Sequence, residues 1–580
     1  MSLNVYPRPH FKRDESSWFH LHTQWDYKIV NIHIEKDLAL IKDYLDKPDG
    51  VIHVPYSIET KNSKVEKQLY PHQSLLMRIK FDVPIELLDL HFLHFDAVDQ
   101  KCRVWLNDVY LGYHQDGYLP FQFDISEILL EKNNELILAI IDESDRGLLP
   151  WGKQKLKKGG IWYTPQSGIW QPVWIETCPK SFVESFDYEF TWPNQLTLKT
   201  TTNDTQPVTI HLFEPTLNGQ HDVDFLERDY PLLMTLQESN QYTIELEEIK
   251  YWSSEQPWLY PLEIVTQEDR IKTYVGCRSI EIKDNEVGIK KVTINKVETF
   301  QSGVLDQGYY QNGLYTPDSD QMMIDDLVML KNMGFNMVRK HIKVELARWY
   351  YHCDRLGLYV HQDMVNSGQQ YNPLIIQVLP FINIHLKDSQ YKRFGQENEQ
   401  SRNYAIHHQK EVIKHLKPFC SIVTWVISNE GWGQFDTLKL TEMARQQDPS
   451  RLIDHASGWH DQKGGDFKSV HVYFKKIRLK ADHRALMLSE FGGYSHQIKG
   501  HSFEKTFGYK KFKKLQDYQK AVLKLHEDEV FKYRKLLSAC VYTQLSDVEE
   551  EINGLVTFDR QVIKWDVDVL KEMNERLIKG

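Results

Sequence analysis

Cysteine is scarce in this sequence, long apolar runs are missing, and positive charge is in deficit. Each shortage removes a class of answer. The 580 residues hold six cysteines, Cys102, Cys178, Cys277, Cys353, Cys420 and Cys540, far apart and with no CxxC pair. That spacing suits neither a disulfide framework nor a zinc site, and it reads as reduced core residues. No stretch approaches about 18 apolar residues, and the N-terminal "MSLNVYPRPHFKRDESSWFH" has no apolar h-region. A membrane span is excluded on this reading, and a cytoplasmic location is the expectation. Lys and Arg number 70 against 81 Asp and Glu, a net charge of -11, and the basic runs are short and scattered. A broadly basic nucleic-acid surface is therefore not expected. No GxGxxG or P-loop follows any strand-like segment, so a nucleotide is not the default ligand either.

Aromatic residues, at 12% with 15 Trp and 30 Tyr, are plentiful. They serve apolar cores, and they also suit clefts that stack against sugar rings. The length calls for two to four domains, and the rhythm of the chain divides into three zones. Residues 1–180 show short alternating runs broken by turns, such as "LLMRIKFDV", "KCRVWLNDVYLGYH" and "ELILAIID", with Asn107-Asp108 as a hairpin turn. Residues 181–288 continue as strands over a length that suits a smaller immunoglobulin-like sandwich. From 289 to 580 helical and strand periods alternate. In "PDSDQMMIDDLVMLKNMGFNMVRKHI", Pro317 and the Asp/Ser caps open a helix, Gly334 ends it, and a strand follows. The repetition of that unit predicts a parallel sheet and fits a (β/α)8 barrel.

A barrel gives the polar residues at strand ends a meaning, because active sites of this fold lie at the C-terminal tips. Arg339 and His341 follow strand two, Asp363 strand three, and Asn429 and Glu430 strand four. His471 and Tyr473 follow strand six, and Glu490 strand seven. Any one of these alone is as well explained by a loop salt bridge or a structural histidine. His361 and Asp363 in "VHQDM" offer metal-type donors, but nothing around them has ligand spacing. Two glutamates on different strand tips are more informative. Glycoside cleavage with retention needs one carboxylic acid to protonate the leaving oxygen and one carboxylate to attack, about 5–5.5 Å apart. Closeness and burial push the two pKa values apart in the required sense.

At these residues the sequence resembles glycoside hydrolase family 2, the β-galactosidase and β-glucuronidase group. "SNEGWG" is similar to the acid/base motif at strand four, and "LSEFGGYS" to the nucleophile motif at strand seven. "VWLNDVYLGYHQDGYLPFQFDIS" and "SGIWQPVWIE" are similar to the family's N-terminal jelly roll, "YWSSEQPWLYPLEIV" to the end of its immunoglobulin-like domain, and "MGFNMVRKHIKVE" to barrel strand two. The resemblance implies a multidomain fold: a jelly-roll β-sandwich, an immunoglobulin-like β-sandwich and a C-terminal TIM barrel. It implies Glu430 as general acid/base and Glu490 as nucleophile of a retaining exo-β-glycosidase, β-galactosidase-like first, with β-glucuronidase or β-mannosidase next. Arg339 and Tyr473 would contact the nucleophile. Asn429, His341, Trp432, His471, Gln544 and Asp363 would line the sugar site. No cofactor is required, while a structural or activating cation is left open. The partner implied is a small glycoside, with no nucleic acid or membrane, and a homo-oligomer is left open.

Specificity is where the pattern departs. The family's galactosidases and glucuronidases carry an aspartate six residues before the glycine of the small-Gly-Ile motif, and that position is Trp162 here. The Asn-x-Lys element that grips a sugar carboxylate is absent, since Asn553 is followed by Gly554. Lys499, after the nucleophile, is a candidate replacement cation. The strand-three loop, 365–396, is long and aromatic-poor, and the region of strand eight holds Tyr542 where much of the clan has Trp. The rival from another class is a catalytically silent carbohydrate-binding protein, which is expected to have lost one of the two glutamates. A metal-dependent isomerase or aldolase barrel lacks its ligand cluster or Schiff-base lysine.

Overall fold

Residues 101 to 115 illustrate how the N-terminal region is built. Strands Lys101–Leu106 and Val109–Gln115 pair antiparallel with Leu106 opposite Val109. Asn107 and Asp108 form the two-residue turn, both with positive φ, 49° and 70°, the backbone that matches the twist of the flanking strands. The structure, a computed structural model, describes residues 3–382 and 384–580. Residues 1 and 2, and residue 383 within the long loop 365–396, lie outside it.

Two antiparallel sheets of six and four strands sandwich an apolar core between Trp18 and Cys178. A second pair of sheets, of three and four strands, spans Val183 to Val275 and closes over Leu196, Leu198, Ile210, Leu262 and Ile264. Its seven strands have the immunoglobulin-like layout. A small antiparallel sheet, Ile280–Glu298, then seals the bottom of the third unit. Lys291 Nζ there donates to the carbonyl of Leu537 at 2.8 Å.

The third unit is an eight-stranded parallel sheet: β1 (Gln301–Asp306), β2 (Met337–Lys340), β3 (Tyr359–Asp363), β4 (Ile422–Val426), β5 (Leu452–Asp454), β6 (Phe467–Val472), β7 (Ala485–Gly492) and β8 (Leu537–Thr543). The ladder runs β5-β4-β3-β2-β1-β8-β7-β6. It closes through the β5–β6 loop, where Asp466 N donates to Ile453 O at 2.8 Å and Ile453 N to the Asp466 carboxylate at 2.7 Å. Every residue of β2, β3, β4 and β7 is buried, as expected of a parallel sheet covered on both faces.

Helices follow four strands in immediate succession: α1 (Asp320–Asn332), α2 (Ala347–Leu356), α3 (Glu399–Leu416) and α4 (Thr437–Gln447), after β1 to β4 in turn. Ser319 caps α1 through its hydroxyl, which accepts from Met322 N, and Gly334 past its end has φ +80°. Among the described residues β5 and β6 have no α-helix after them, a departure from strict alternation. The β5–β6 loop carries Gly458, Gly464 and Gly465 within a few residues, and glycine is a poor helix former. α5 (Leu515–Leu525) precedes β8 and α6 (Val567–Lys579) follows it. No helix among the described residues is long and apolar enough to cross a membrane.

Candidate active site

Each strand of the barrel ends in a residue whose backbone is held by the ladder, so its side chain is aimed before any ligand arrives. From β2, Arg339 is wholly buried and forks in two directions. Its Nε and Nη2 donate to the two oxygens of Asp363 on β3 at 2.9 and 3.0 Å. Its Nη1 donates to Glu490 Oε1 on β7 at 3.1 Å, and Nη2 also donates to Asn429 Oδ1 at 2.7 Å. One guanidinium thus links the tips of four strands. Asp363 is used up by this contact and by His341, whose Nδ1 lies 2.7 Å from its Oδ2. Burial holds His341 well below the usual histidine pKa. A neutral ring that donates Nδ1–H to Asp363 keeps Nε2 as an acceptor.

Glu430 sits one step past Asn429, where β4 has ended, with φ +49°, and Gly431 follows at +72°. A left-handed glutamate is strained backbone of the kind that collects at functional sites. No side chain fits at 431, since a Cβ there would lie 2.7 Å from the His460 ring. The kink turns the Glu430 carboxyl toward β6, where it shares a 2.8 Å hydrogen bond with His471 Nδ1. The other ring nitrogen, Nε2, lies 3.5 Å from Glu490 Oε1 and 3.1 Å from Ser457 Oγ. His471 therefore stands between the two glutamates, and ligand atoms of all three lie within 4.8 Å of one another. The trio has the donor types to hold a divalent cation. Arg339 and Tyr473, however, already occupy the Glu490 oxygens from the other side.

The two carboxyl groups are driven apart electrostatically. Burial pushes Glu430 above the usual glutamate pKa. The hydrogen bond with His471 offsets part of this, and the charge of Glu490 adds to it. Burial acts on Glu490 as well, but His471, Arg339 and the Tyr473 phenol outweigh it and hold its carboxyl below the usual value. Tyr473 donates a short hydrogen bond to Glu490 Oε2. Its own pKa is well raised by burial and by the Glu490 charge, so it remains a donor. Tyr473 is fixed by Tyr509, whose ring stacks on it at 4.0 Å and 5°.

Of the ten residues singled out in the sequence, eight form this cluster: Glu430, Glu490, Asn429, Arg339, His341, Asp363, His471 and Tyr473. Trp432 lies at its edge, with its ring 6.3 Å from that of His341. Gln544 stands behind, with both amide ends engaged. Its Oε1 accepts from Gln307 and its Nε2 donates to Asn553, each at 2.7 Å. Lys499 is exposed in the loop after β7. Trp162, from the first sandwich, packs on Trp432 with ring centroids 5.0 Å apart. The loop that carries it is clamped to the barrel by three consecutive acids after β8. Glu549 accepts from Thr164 N at 2.9 Å, Glu550 from Gly160 N at 3.2 Å, and Glu551 from the Tyr163 hydroxyl at 2.5 Å. The same loop delivers Lys153, buried beside Trp432. Nothing in "GKQKLKKGG" distinguishes Lys153 from Lys155, Lys157 or Lys158, so sequence reasoning passed it over.

A (β/α)8 barrel with paired carboxylates at its mouth, roofed by a β-sandwich, has the architecture of the glycoside-hydrolase class. The model for the family 2 glycosyl hydrolase TIM barrel domain matches residues 316–575, and that for the family's sugar binding domain matches residues 44–179. Together they take in well over half of the chain, which belongs to glycosyl hydrolases family 2. Among curated relatives, a β-galactosidase of Vibrio vulnificus is 24% identical over 420 residues, 69% of this chain and 37% of that protein. The β-galactosidase large subunit of Lactobacillus acidophilus is 25% identical over 403 residues, 66% of this chain and 58% of that one. The chain thus spans between about a third and three fifths of these relatives' length. Among solved structures, a β-glucuronidase from an uncultured Clostridium species superposes with a TM-score of 0.75 at 16% identity, covering 99% of this chain and 100% of that one. One from Faecalibacterium prausnitzii gives 0.72 at 18%, covering 99% of both. At such identity these likenesses speak for the fold.

Proposed function

We propose that the protein is a retaining exo-β-glycosidase, with Glu490 as nucleophile and Glu430 as general acid and base. One observation carries the reading: two buried carboxyl groups, with oxygens within 4.8 Å of one another, have pKa values displaced in opposite directions. Retaining enzymes hold the pair about 5–5.5 Å apart, while inverting ones leave about 6.5–9.5 Å for a water. Glu490, kept ionised by Arg339 and Tyr473, attacks the anomeric carbon. Glu430, whose protonated form burial favours, gives its proton to the departing oxygen. The glycosyl ester is then hydrolysed by a water that Glu430, now a carboxylate, deprotonates. Two inversions leave the β configuration intact. No step calls for a metal or a cofactor, and none is proposed.

Asn429 fits a role at the sugar. Its Oδ1 is tied to Arg339, while its buried Nδ2 has no partner among the described residues, which leaves a donor beside the reacting carbon. Trp162, from the first sandwich, packs on Trp432 at the edge of the cluster, and a roof contributed by that domain favours removal of a single terminal sugar. The curated relatives support β-galactosides as the first substrate to try. A panel of 4-nitrophenyl glycosides of galactose, glucuronate, mannose, glucose, xylose, arabinopyranose and fucose tests the reading, with the product anomer followed by NMR. A β-glycoside should be cleaved and the β-anomer should appear first. First appearance of the α-anomer, or no turnover of any β-glycoside, would overturn it.

A further inference from the structure

Six lysines are buried among the described residues: Lys12, Lys153, Lys291, Lys340, Lys343 and Lys564. Five have acceptors for their ammonium groups. Lys12 lies 2.6 Å from Glu227, and Lys291 donates to the carbonyl of Leu537 at 2.8 Å. Lys340 meets Asp306 and Glu345 at 2.6 and 3.0 Å. Lys343 meets Glu345 and two carbonyls at 2.6 to 2.8 Å, and Lys564 meets both oxygens of Asp547 at 2.6 and 2.7 Å. Lys153 differs. Among the described residues no acceptor lies within hydrogen-bond distance of its Nζ. Around it are ring faces: Trp432 at 4.6 Å, and Trp162 and Tyr163 at 5.6 Å.

Lys153 is 4% exposed as a residue; an ammonium with so little water around it and no protein acceptor is costly, and cation–π contact recovers part of that cost. The acids close enough to act on Lys153 electrostatically are Glu551, Glu430, Glu490 and Asp363, and each is engaged elsewhere. Asp363 and Glu490 hold Arg339, Glu551 accepts from Tyr163 and Asn553, and Glu430 pairs with His471. Three N–H donors and a positive charge are thus left beside Trp432, the ring that borders His341 at the edge of the glutamate cluster. Lys153 belongs to the sandwich loop that roofs the barrel, so its charge enters the site from the domain opposite the glutamates.

We propose that Lys153 is the specificity-determining residue of this site, and that the sugar it selects carries a negatively charged substituent, a carboxylate or a sulfate ester. The proposal rests on the reading of Glu430 and Glu490 as the reacting pair. An anion on the sugar would give the ammonium the direct acceptor it lacks, in a place where the surrounding acids would otherwise repel that anion. A neutral galactoside would leave the charge unpaired.

The test compares the wild type with Lys153→Gln, which keeps donors without charge, Lys153→Met, which keeps neither, and Lys153→Arg. The substrates are 4-nitrophenyl β-D-galactoside, its 6-sulfate, the β-D-galacturonide and the β-D-glucuronide, and the readout is kcat/KM of each anion relative to the neutral galactoside. In the wild type at least one anionic substrate should exceed the galactoside. Both Lys153→Gln and Lys153→Met should lower that ratio by about a hundredfold, as loss of one partner of a buried charge pair does, and Lys153→Arg should restore part of it. The sulfate and carboxylate arms separate the two sources of charge. A galactoside preferred over every anion, a ratio unmoved by Lys153→Gln, or full rescue by Gln of what Met loses would overturn the proposal. Calorimetric titration of D-galacturonate, D-glucuronate and D-galactose into Glu490→Gln, with and without Lys153→Gln, answers independently of turnover. Uronate binding that requires Lys153 supports the proposal even if the catalytic reading fails, and equal binding of acid and neutral sugar refutes it. Melting curves identify any variant that does not fold, and the remaining substitutions then decide.

Discussion

Arg339 organises the site, and its two faces make separable predictions. Its contact with Glu490 favours the carboxylate, so removing it should raise the nucleophile's pKa. Glu490 must be ionised to attack. The acid limb of the kcat/KM profile should therefore move to higher pH in Arg339→Met, while the basic limb, set by Glu430, should stay nearer its place. An acid limb that does not move, or that moves to lower pH, would contradict the assignment. Glu490→Gln should lose at least about four orders of magnitude in turnover, on the scale of losing a nucleophile in other two-step hydrolases. For Glu430→Ala the loss should depend on the leaving group. Poor leaving groups need the proton and should slow by about 10²–10⁴, whereas activated aryl glycosides should slow far less, with azide yielding a β-glycosyl azide. Equal losses on both would count against Glu430 as the acid. These strand tips were legible because a charge at the end of an apolar run is a local signal. The division of labour between Asp363, consumed by Arg339 and His341, and Asn429, with a donor to spare, is not local. It depends on which neighbours four strands bring within 3 Å.

Among the elements, the β5–β6 loop shows what connects sequence to site. Gly458 has φ +83°, and a Cβ there would fall 2.4 Å from Cγ of His471, the ring that stands between the glutamates. Gly458→Ala should displace His471, lower kcat more than it raises KM, and cost roughly 1–3 kcal/mol as overpacking does. Steady-state kinetics together with denaturant melts check both halves. In place of a helix the barrel has a close backbone approach to a site residue there. Helices α1 to α4 were foreseeable from their helical pattern, and α1 also from its Ser319 cap. The absence of α-helices after β5 and β6 among the described residues was less so, because only the closed ring reveals how short a path those connections need. Gln544 illustrates the same limit. The family resemblance pointed it to the sugar site, and in the fold Gln307 and Asn553 engage its two amide ends.

At the scale of the whole molecule, charged contacts weld the units together. Glu176 of the first sandwich, 2% exposed, meets Arg8 at 2.8 Å and Arg13 at 3.1 Å, and Arg13 also reaches Asp269 of the second sandwich at 3.2 Å. Burial opposes ionisation of Glu176, but Arg13 and Arg8 outweigh it and hold the carboxyl well below the usual value. Its stabilising contribution is therefore present above about pH 4.3, the ordinary glutamate value, and is lost as pH falls toward the folded-state value. Glu176→Gln should lower stability near neutrality by about 3–5 kcal/mol, because two arginines lose a buried partner. It should also flatten the loss of apparent Tm on acidification relative to the wild type. A variant as stable as the wild type at pH 7 would show that the contact carries no net stability.

The sequence by itself determined the class of each region and the chemistry at the strand tips. Alternation by two builds sheets, alternation by 3.6 builds helices, and both are written within a few residues of one another. It also carried the pair Glu430 and Glu490, because each lies near the C-terminal end of its own strand. Tertiary structure alone decided what surrounds them. His471 reaches both carboxyls because β6 runs beside β7 and faces the turned-out end of β4. Lys153 arrives from a loop hundreds of residues upstream, held over the barrel by Glu549, Glu550 and Glu551. Electrostatic environment depends on distance through space, and only the closing of the ring and the docking of the sandwich set those distances.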